Sequence, residues 1–270
     1  MKNLRYLLLG ALATPALAQD PATLKQYEQL RQGYYEFDPH AYRSFTCQID
    51  VSSLDATVAN IKQMLAPRAD TLKVKDELAS YSLTVDSKIG LSINNPTLDI
   101  QVLSDKGMAD PAKVRQGIEE TKQGFDRQVQ GTDQVISGIF NGYLDTVPEL
   151  SSVTHTDGGW IVKYSEGGVS ATDTIQGSKI HEEAGTNGLS IVSDMEFAKV
   201  NADKLGIKTS TIHMTQGAQT AVTGITVSYQ TLGSLQVPAA IVTKTTITTA
   251  GVAQTTADST IKFQACAIKT

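Results

Sequence analysis

Seven residues near the start of the chain, Phe45-Thr46-Cys47-Gln48-Ile49-Asp50-Val51, decide how it folds. Apolar and polar side chains alternate through FTCQIDV, and this two-residue period is typical of a β-strand with one buried face. Cys47 stands on the apolar side of the alternation. The stretch therefore predicts a strand whose apolar face looks onto helices, or onto a cavity beneath them.

Cys266, in IKFQACAIKT, is the only available partner for Cys47, because the sequence has two cysteines. A Cys47–Cys266 disulfide would close nearly the whole chain into one loop, which is worth about 4–5 kcal/mol in the chain-entropy treatment. The alternative is two free, buried thiols. Ile261, Phe263 and Ala265 share one face of the last strand and Cys266 falls on the other. A disulfide therefore needs a β-bulge near Ala265, or a place at the rim of the sheet.

The first eighteen residues have the order of a secretory signal peptide. Lys2 and Arg5 precede a short apolar run, and Ala16-Leu17-Ala18 offers a small-x-small cleavage site. We expect cleavage near Ala18, one domain over residues 19–270, and a periplasmic or extracellular location, where a disulfide persists. No later apolar run is long enough to cross a bilayer, so we expect no transmembrane anchor in the mature chain.

Acidic residues outnumber basic residues. The formal net charge of the whole chain is −5, and it becomes −7 without residues 1–18, which carry Lys2 and Arg5 and no acid. A mildly acidic surface repels phosphate backbones and anionic lipid surfaces. We therefore expect neither nucleic acid nor an anionic membrane surface as a partner.

Three stretches have the three- and four-residue spacing of amphipathic helices. Their apolar stripes are Leu24, Tyr27, Leu30 and Tyr34 in the first, Leu54, Val58, Ile61 and Leu65 in the second, and Val114, Ile118, Phe125, Val129, Ile136, Phe140 and Tyr143 in the third. Ser52 and Asp55 predict a capping box for the second helix, which Pro67 ends. Asp110-Pro111 opens the third, which can run to about Asp145.

Four glycines recur every seven residues in the third helical stretch, at Gly117, Gly124, Gly131 and Gly138. They form a smooth strip suited to close packing on a sheet. Each lowers helix stability by up to about 1 kcal/mol relative to alanine. The stretch is therefore either one weak, close-fitting helix or two helices broken near Gly131.

Strand patterns fill the rest of the chain. Two early strands carry alternating apolar residues, Tyr81, Leu83 and Val85 in the first and Leu98, Ile100 and Val102 in the second. After residue 150 the strands follow one another, with Asp157-Gly158 and Asn187-Gly188 as hairpin turns. We predict an α+β fold with about 11 strands in one large curved antiparallel sheet, a half-barrel whose concave face the amphipathic helices cover.

The sequence contains no serine elbow, phosphate loop or dinucleotide fingerprint. His181 and Glu183 would share a strand face, but Gly185 stands where zinc-protease spacing requires a second histidine. Asp194 and Glu196 share another face, which a solvated strand edge explains as well as a catalytic carboxylate pair does. We expect no enzymatic activity, no metal and no cofactor.

The layout of the chain resembles a known family. An export signal, an N-terminal helix, the strand YRSFTCQIDV, the hairpin VTHTDGGWIVKY and the late pair VSYQTLGSLQVPAAIV are similar to the layout of periplasmic outer-membrane lipoprotein carriers and related lipid-binding lipoproteins. The resemblance implies an unclosed barrel that holds acyl chains between its concave face and a helical lid. It implies that FTCQIDV lines the cavity and that Phe125, Ile136 and Phe140 belong to the lid.

Apolar strand faces supply the other candidates for a binding surface. Trp160 and Tyr164 alternate in WIVKY, and Val227 and Tyr229 alternate in ITVSY. Together with the resemblance, the alternation predicts the ligand contacts Phe45, Ile49, Leu83, Val85, Ile100, Phe125, Ile136, Phe140, Trp160, Tyr164, Val227 and Tyr229.

These patterns predict an exported protein that binds or carries a hydrophobic, acyl-chain ligand, with a lipid or a lipidated protein as its partner. The alternative is a non-catalytic structural or adhesive surface protein whose apolar faces are all packed core. An exported hydrolase is a third interpretation, which needs three polar side chains converging in a cleft. A cavity lined by the alternating residues would favour the first interpretation, and a filled core would favour the second.

Overall fold

The computed structural model of the protein describes residues 20–34, 44–86, 90–140, 143–144, 150–166, 168–186, 188–201, 204–233 and 235–269. The predicted signal peptide lies outside the described residues, as do Tyr42, Asp145 and Asn187. The chain divides into two compact units, which we call the meander unit (residues 1–37 and 137–258) and the disulfide unit (residues 38–136 and 259–270). The expectation of one domain over residues 19–270 stays a prediction.

All three predicted helices are present: α1 is Pro21–Gln32, α2 is Ser52–Leu65 and α3 is Pro111–Phe140. Two single turns of 3-10 helix, Ala66–Arg68 and Leu78–Ser80, precede strands. Helix α1 ends earlier than its apolar stripe, because Tyr34 lies past the helix end and forms an isolated bridge with Leu205.

The described strands are β1 (Ser44–Val51), β2 (Leu72–Asp76), β3 (Ser82–Asp86), β4 (Gly90–Asn94), β5 (Leu98–Val102), β6 (Leu150–Thr156), β7 (Gly159–Glu166), β8 (Val169–Gln176), β9 (Lys179–Thr186), β10 (Leu189–Lys199), β11 (Leu205–Gln216), β12 (Gln219–Leu232), β13 (Leu235–Thr249) and β14 (Val252–Lys269). Twelve of them form one sheet in the order β4-β3-β1-β14-β13-β12-β11-β10-β9-β8-β7-β6, and β2 pairs with β5 in a second sheet. The predicted α+β fold with one large, open antiparallel sheet is confirmed, with twelve strands in place of about 11.

Strands β2 and β4 were not predicted. Each has five residues and two apolar positions, Leu72 and Val74 in β2 and Leu91 and Ile93 in β4. Two apolar positions give a single repeat of the two-residue period, which is a weaker signal than the three apolar positions of β3 and β5. Strand β5 carries Ile100 and pairs with β2, so Ile100 lies outside the large sheet.

Strand β1 is the centre of the disulfide unit, with β3 on one side and β14 on the other. Phe45, Cys47, Ile49 and Val51 are buried and alternate with more exposed residues, as the sequence predicted. Cys47 is bonded to Cys266. The predicted disulfide is therefore confirmed.

A β-bulge brings the two cysteines to the same place. Thr46 pairs with Ala267 and Gln48 pairs with Gln264, so Ala265 and Cys266 together oppose Cys47. Ala265 has φ 47°, a left-handed conformation that a residue with a Cβ rarely adopts. The bulge that the face mismatch predicted is confirmed.

Helix α2 buries its predicted stripe, with Leu54, Val58 and Ile61 each at most 5% exposed. The predicted capping box is wrong. The N-cap is Val51, and no side chain caps the helix. The Ser52 hydroxyl instead accepts a hydrogen bond at 2.9 Å from the backbone N–H of Thr260.

Helix α3 is one continuous helix of 30 residues, so the two-helix alternative is wrong. Phe125, Val129 and Ile136 are buried as predicted. The expectation that the glycine strip packs on a sheet is also wrong at three of its four glycines. A Cβ added at Gly117, Gly124 or Gly131 would meet nothing within 4 Å. The reason is angular, because the buried residues stand roughly 120° around the helix from that strip.

Strands β7–β10 of the meander unit pair in register, so their side chains fall into rows across the sheet. The first row is Trp160, Ile175, Ile180 and Met195, and the second is Val162, Asp173, Glu182 and Ser193. Both rows lie on the buried face of the strands, and Trp160 packs edge-on against Tyr27 of α1 with ring centroids 6.2 Å apart. The second row therefore places two carboxylates among buried apolar side chains.

Candidate functional site

The twelve predicted ligand contacts fall into both units. Seven lie in the disulfide unit, namely Phe45, Ile49, Leu83, Val85, Ile100, Phe125 and Ile136. Five lie in the meander unit, namely Phe140, Trp160, Tyr164, Val227 and Tyr229. Each set is described by its own contacts.

The seven residues of the disulfide unit are all buried. Phe45 pairs across the sheet with Val85, and Leu83 pairs with Cys47. None of the seven is more than 5% exposed, and Phe45, Leu83 and Ile136 have no exposed surface. A side chain without surface for a water-sized sphere is in contact with protein atoms on every side. Phe45, Leu83 and Ile136 therefore have the character of packed core.

Two polar contacts fix the middle of α3 in the disulfide unit. The Tyr81 hydroxyl donates a 2.6 Å hydrogen bond to Asp133 Oδ1, and the Thr57 hydroxyl contacts Gln128 Oε1 at 3.0 Å. Burial raises the pKa of the Asp133 carboxyl, although the hydrogen bond from Tyr81 opposes that shift. Residues 128–133 of α3 are thus tied by side-chain hydrogen bonds as well as by apolar packing.

Three of the five predicted contacts in the meander unit pack against other residues of that unit. Tyr229 is half-buried, and its ring lies against Gly206, where an added Cβ would be 2.6 Å from the tyrosine hydroxyl oxygen. Val227 is buried and pairs with Ile241. Trp160 is half-buried and contacts Tyr27 and His155.

An open cleft lies elsewhere in the disulfide unit. Its walls are the C-terminal end of α2, strands β2 and β5, and the first three turns of α3, and its volume is about 720 Å³. The apolar lining residues are Ile61, Met64, Leu65, Leu72, Ile100, Met108, Val114 and Ile118. Met64 is 68% exposed, which is unusual for so large an apolar side chain.

The border of the cleft carries cations. Arg68, Lys106 and Lys113 all line it, and within the described residues none of their charged side-chain groups forms an ion pair. Other cations of the same unit are neutralised. Lys62 contacts Asp76 at 2.7 Å, and Lys122 contacts Asp99 at 2.9 Å.

Two carboxylates also line the cleft, and they differ in role. Asp110 is engaged as a helix cap, because its Oδ1 accepts a 3.0 Å hydrogen bond from the backbone N–H of Lys113. Asp70 also lines the cleft, two residues after Arg68 in the sequence. With three cations against these two carboxylates, the border of the cleft is positive in a chain whose net charge is −5.

A second cleft, of about 580 Å³, lies on the polar face of strands β8–β11 in the meander unit. His181 Nδ1 is 2.7 Å from Asp194 Oδ1, and His181 Nε2 is 3.4 Å from Glu183 Oε1. The hydrogen bond with Asp194 raises the pKa of His181, and burial opposes the shift. Glu196 is near Lys208, at 3.7 Å. Asp194 and Glu196 thus each have a basic partner and form a solvated strand face.

Comparison of the chain with protein-family models, with curated proteins and with solved structures found no match. The resemblance to lipoprotein carriers therefore stays a prediction from the layout of the sequence. In the part of the chain that the structure describes, the helices lack the length and apolar character that a membrane crossing requires.

The open cleft was largely missed by the sequence analysis. Of the twelve predicted contacts, one lines it, Ile100. Four residues of the predicted helical stripes also line it, namely Ile61 and Leu65 of α2 and Val114 and Ile118 of α3. A signal was present in Met64 and Met108, which are large apolar residues outside the helical and strand periodicities. Periodicity identifies residues that are buried on folding. A ligand site, in contrast, also contains apolar residues that stay exposed in the folded protein.

Proposed function

We propose that the protein is exported and binds an acyl-chain anion, such as a fatty acid, in the open cleft of the disulfide unit. The observation that carries the proposal is a 720 Å³ cleft that combines apolar walls with three cations whose charged groups form no ion pair among the described residues. Ligand sites of small molecules occupy about 300–1,000 Å³ and combine apolar walls with a few polar groups.

The apolar walls suit a flexible chain. Met64 and Met108 are unbranched and adapt to irregular contacts, and Leu65, Val114 and Ile118 give the cleft aliphatic walls. Burial of a chain contributes about 0.8 kcal/mol per methylene. About 14 buried methylenes would therefore offset association costs of several kcal/mol and leave micromolar affinity.

The cations suit a carboxylate or phosphate headgroup. Lys106 and Lys113 stand at the α3 end of the cleft and Arg68 stands at the α2 end. Arginine can bind such oxygens through two parallel hydrogen bonds, and lysine acts as a point charge. The predicted export signal and the Cys47–Cys266 disulfide support a periplasmic or extracellular location for this binding.

The competing interpretation is a non-catalytic structural or adhesive protein with a filled core. Burial of Phe45, Leu83 and Ile136 favours it at those positions. The two interpretations differ at the open cleft, because a structural or adhesive protein with a filled core assigns no function to this cleft.

Fluorescence titration of delipidated protein with a labelled sixteen-carbon fatty acid separates them. We expect saturable micromolar binding that weakens about fourfold for each methylene removed, as the transfer free energy of a methylene requires. A Lys106→Gln, Lys113→Gln double variant should weaken binding of the acid and leave binding of its methyl ester unchanged. Absence of saturable binding at tens of micromolar probe would leave the structural interpretation as the better one.

A further inference from the structure

The charged side chains of the open cleft belong to segments that the structure ties together where α2 ends and α3 begins. The backbone N–H of Leu103 donates to Thr71 O at 2.7 Å, and the Thr71 hydroxyl donates to Arg68 O at 3.1 Å. The segment after α2 therefore lies beside the segment that leads into α3. The lining residues with charged side chains in this region, called the head end below, are Arg68, Asp70, Lys106, Asp110 and Lys113.

Two acids in this region already have partners. Asp110 caps α3, because its Oδ1 accepts a 3.0 Å hydrogen bond from the backbone N–H of Lys113, at the positive end of the helix dipole. Asp105, the residue before Lys106, accepts hydrogen bonds of 2.7 Å and 2.8 Å from Arg115 Nη2. The helix N-terminus therefore balances the charge of Asp110, and Arg115 balances that of Asp105.

The remaining charges of the head end do not balance one another. The charged groups of Arg68, Lys106 and Lys113 form no ion pair among the described residues. Asp70 is the one lining acid, in the part of the chain that the structure describes, that does not cap a helix. Three positive charges against one negative charge leave two positive charges, which match a headgroup that carries two negative charges.

The segment that carries Lys106 is held by its own contacts. The backbone N–H of Lys106 donates to Ser104 Oγ at 3.1 Å, and the backbone N–H of Met108 donates to Asp105 O at 3.1 Å. The two hydrogen bonds between Arg115 and Asp105 join this turn to α3. An anion that binds here meets a segment that is already ordered, so binding costs less conformational entropy.

We propose that the preferred ligand of the cleft is a lipid phosphate monoester, whose terminal oxygens contact Arg68, Lys106 and Lys113. A phosphate monoester presents three terminal oxygens and carries nearly two negative charges above pH ~7. A carboxylate carries one charge and would leave one positive charge of the head end unbalanced. This inference rests on the proposed function, because the chain of the lipid must occupy the apolar part of the same cleft.

Displacement of the labelled fatty acid by three competitors with the same fourteen-carbon chain tests the charge of the headgroup. The competitors are tetradecanoate, tetradecyl sulfate and monotetradecyl phosphate. At pH 8 the phosphate should bind more tightly than either monoanion by about fivefold or more, the upper end for one exposed charge pair. At pH 5, below the second pKa of a phosphate monoester at about 6, it should bind as the sulfate does. The sulfate keeps one charge at both pH values, so it corrects for any change in the charged residues of the head end, namely Arg68, Asp70, Lys106, Asp110 and Lys113.

Single variants locate the preference in the head end. At pH 8, Lys113→Gln should lower the ratio of phosphate affinity to sulfate affinity by about twofold or more, and Asp70→Asn should raise it. The matched control is Lys73→Gln, which removes one positive charge from the same unit. Lys73 is exposed and lies on the face of β2 opposite to Leu72, which lines the cleft. The ratio for this control should equal that of the wild type.

The outcomes separate this inference from the proposed function. If tetradecanoate displaces the probe and the phosphate binds no more tightly than the sulfate at pH 8, the dianion inference is wrong and the fatty-acid site stands. If the labelled fatty acid itself shows no saturable binding, the proposed function and this inference fail together. Equal falls in the affinity ratio for Lys73→Gln and Lys113→Gln would assign the preference to the net charge of the protein, and would also overturn the inference.

Discussion

The disulfide unit has two apolar surfaces that differ in what they face. On β1 and β3, Phe45 and Leu83 have no exposed surface, and they lie beside the Cys47–Cys266 disulfide. At the C-terminal end of α2, Met64 lines the open cleft and is 68% exposed. The first surface is closed by protein, and the second borders an open cleft. Alternation therefore identifies side chains that are buried on folding, but it does not distinguish a packed core from a ligand-binding cavity.

Removing the disulfide is the largest perturbation of the closed surface. The bond joins residues 219 positions apart. A loop this long strongly lowers the conformational entropy of the unfolded chain, and this stabilises the folded state. We expect a Cys47→Ala, Cys266→Ala double variant to lose about 5 kcal/mol of unfolding free energy in urea titration. A loss below 1 kcal/mol would mean that the bond does not constrain the unfolded chain. As a companion check, iodoacetamide should label neither cysteine in the denatured, unreduced wild type.

Truncations on the two surfaces compare them directly. Phe45→Ala should cost about 3–5 kcal/mol, because it leaves a cavity in filled core. Met64→Ala should change the unfolding free energy by less than about 0.5 kcal/mol, because its side chain is mostly in water. The check is urea unfolding of both variants. A small loss for Phe45→Ala would contradict the closed surface and restore a cavity beneath FTCQIDV.

The bulge that aligns the cysteines offers a stabilising substitution. Ala265 has φ 47°, which costs a residue with a Cβ about 1–2 kcal/mol relative to glycine. After the entropy that glycine loses on folding, Ala265→Gly should gain about 0.5–1 kcal/mol. Ala267→Gly, two residues along β14 and without positive φ, is the control and should lose about as much. Losses in both variants would show that the left-handed conformation carries no strain.

Alanine substitutions in the glycine strip of α3 should have the smallest effects on the stability of the protein. Since added Cβ atoms at Gly124 and Gly131 meet nothing within 4 Å, alanine at either position should stabilise the protein by about 0.5–1 kcal/mol. Thermal unfolding measures the gain. A loss of more than about 1 kcal/mol in either variant would show that the strip packs against protein, and the sheet-packing interpretation would return.

The local periodicities of the sequence predicted much of the fold. The α2 stripe of Leu54, Val58 and Ile61 and the face mismatch at Cys266 required no knowledge of distant residues beyond the other cysteine. The capping box failed because the Ser52 hydroxyl binds the backbone of Thr260, more than 200 residues away. Such competition between local and distant partners is invisible in a local pattern.

The candidate sites were less predictable. The open cleft depends on Met64 and Met108 staying partly exposed, which periodicity does not report. The two buried carboxylates of the meander unit did leave a signal, because Asp173 keeps the apolar phase of Ala171 and Ile175, and Glu182 keeps the phase of Ile180. A charged residue in the buried phase of a strand is a site candidate that residue-type motifs overlook.

Tryptophan substitutions in the glycine strip test the central claim, binding in the open cleft, most directly. Gly117 lines the cleft and Gly131 does not, yet both sit on the same strip of α3 with open space beside them. Gly117→Trp should fill the cleft and weaken the labelled fatty acid at least tenfold, without loss of stability. Gly131→Trp should bind as the wild type does. Equal affinities of the two variants in the fluorescence titration would contradict binding in this cleft.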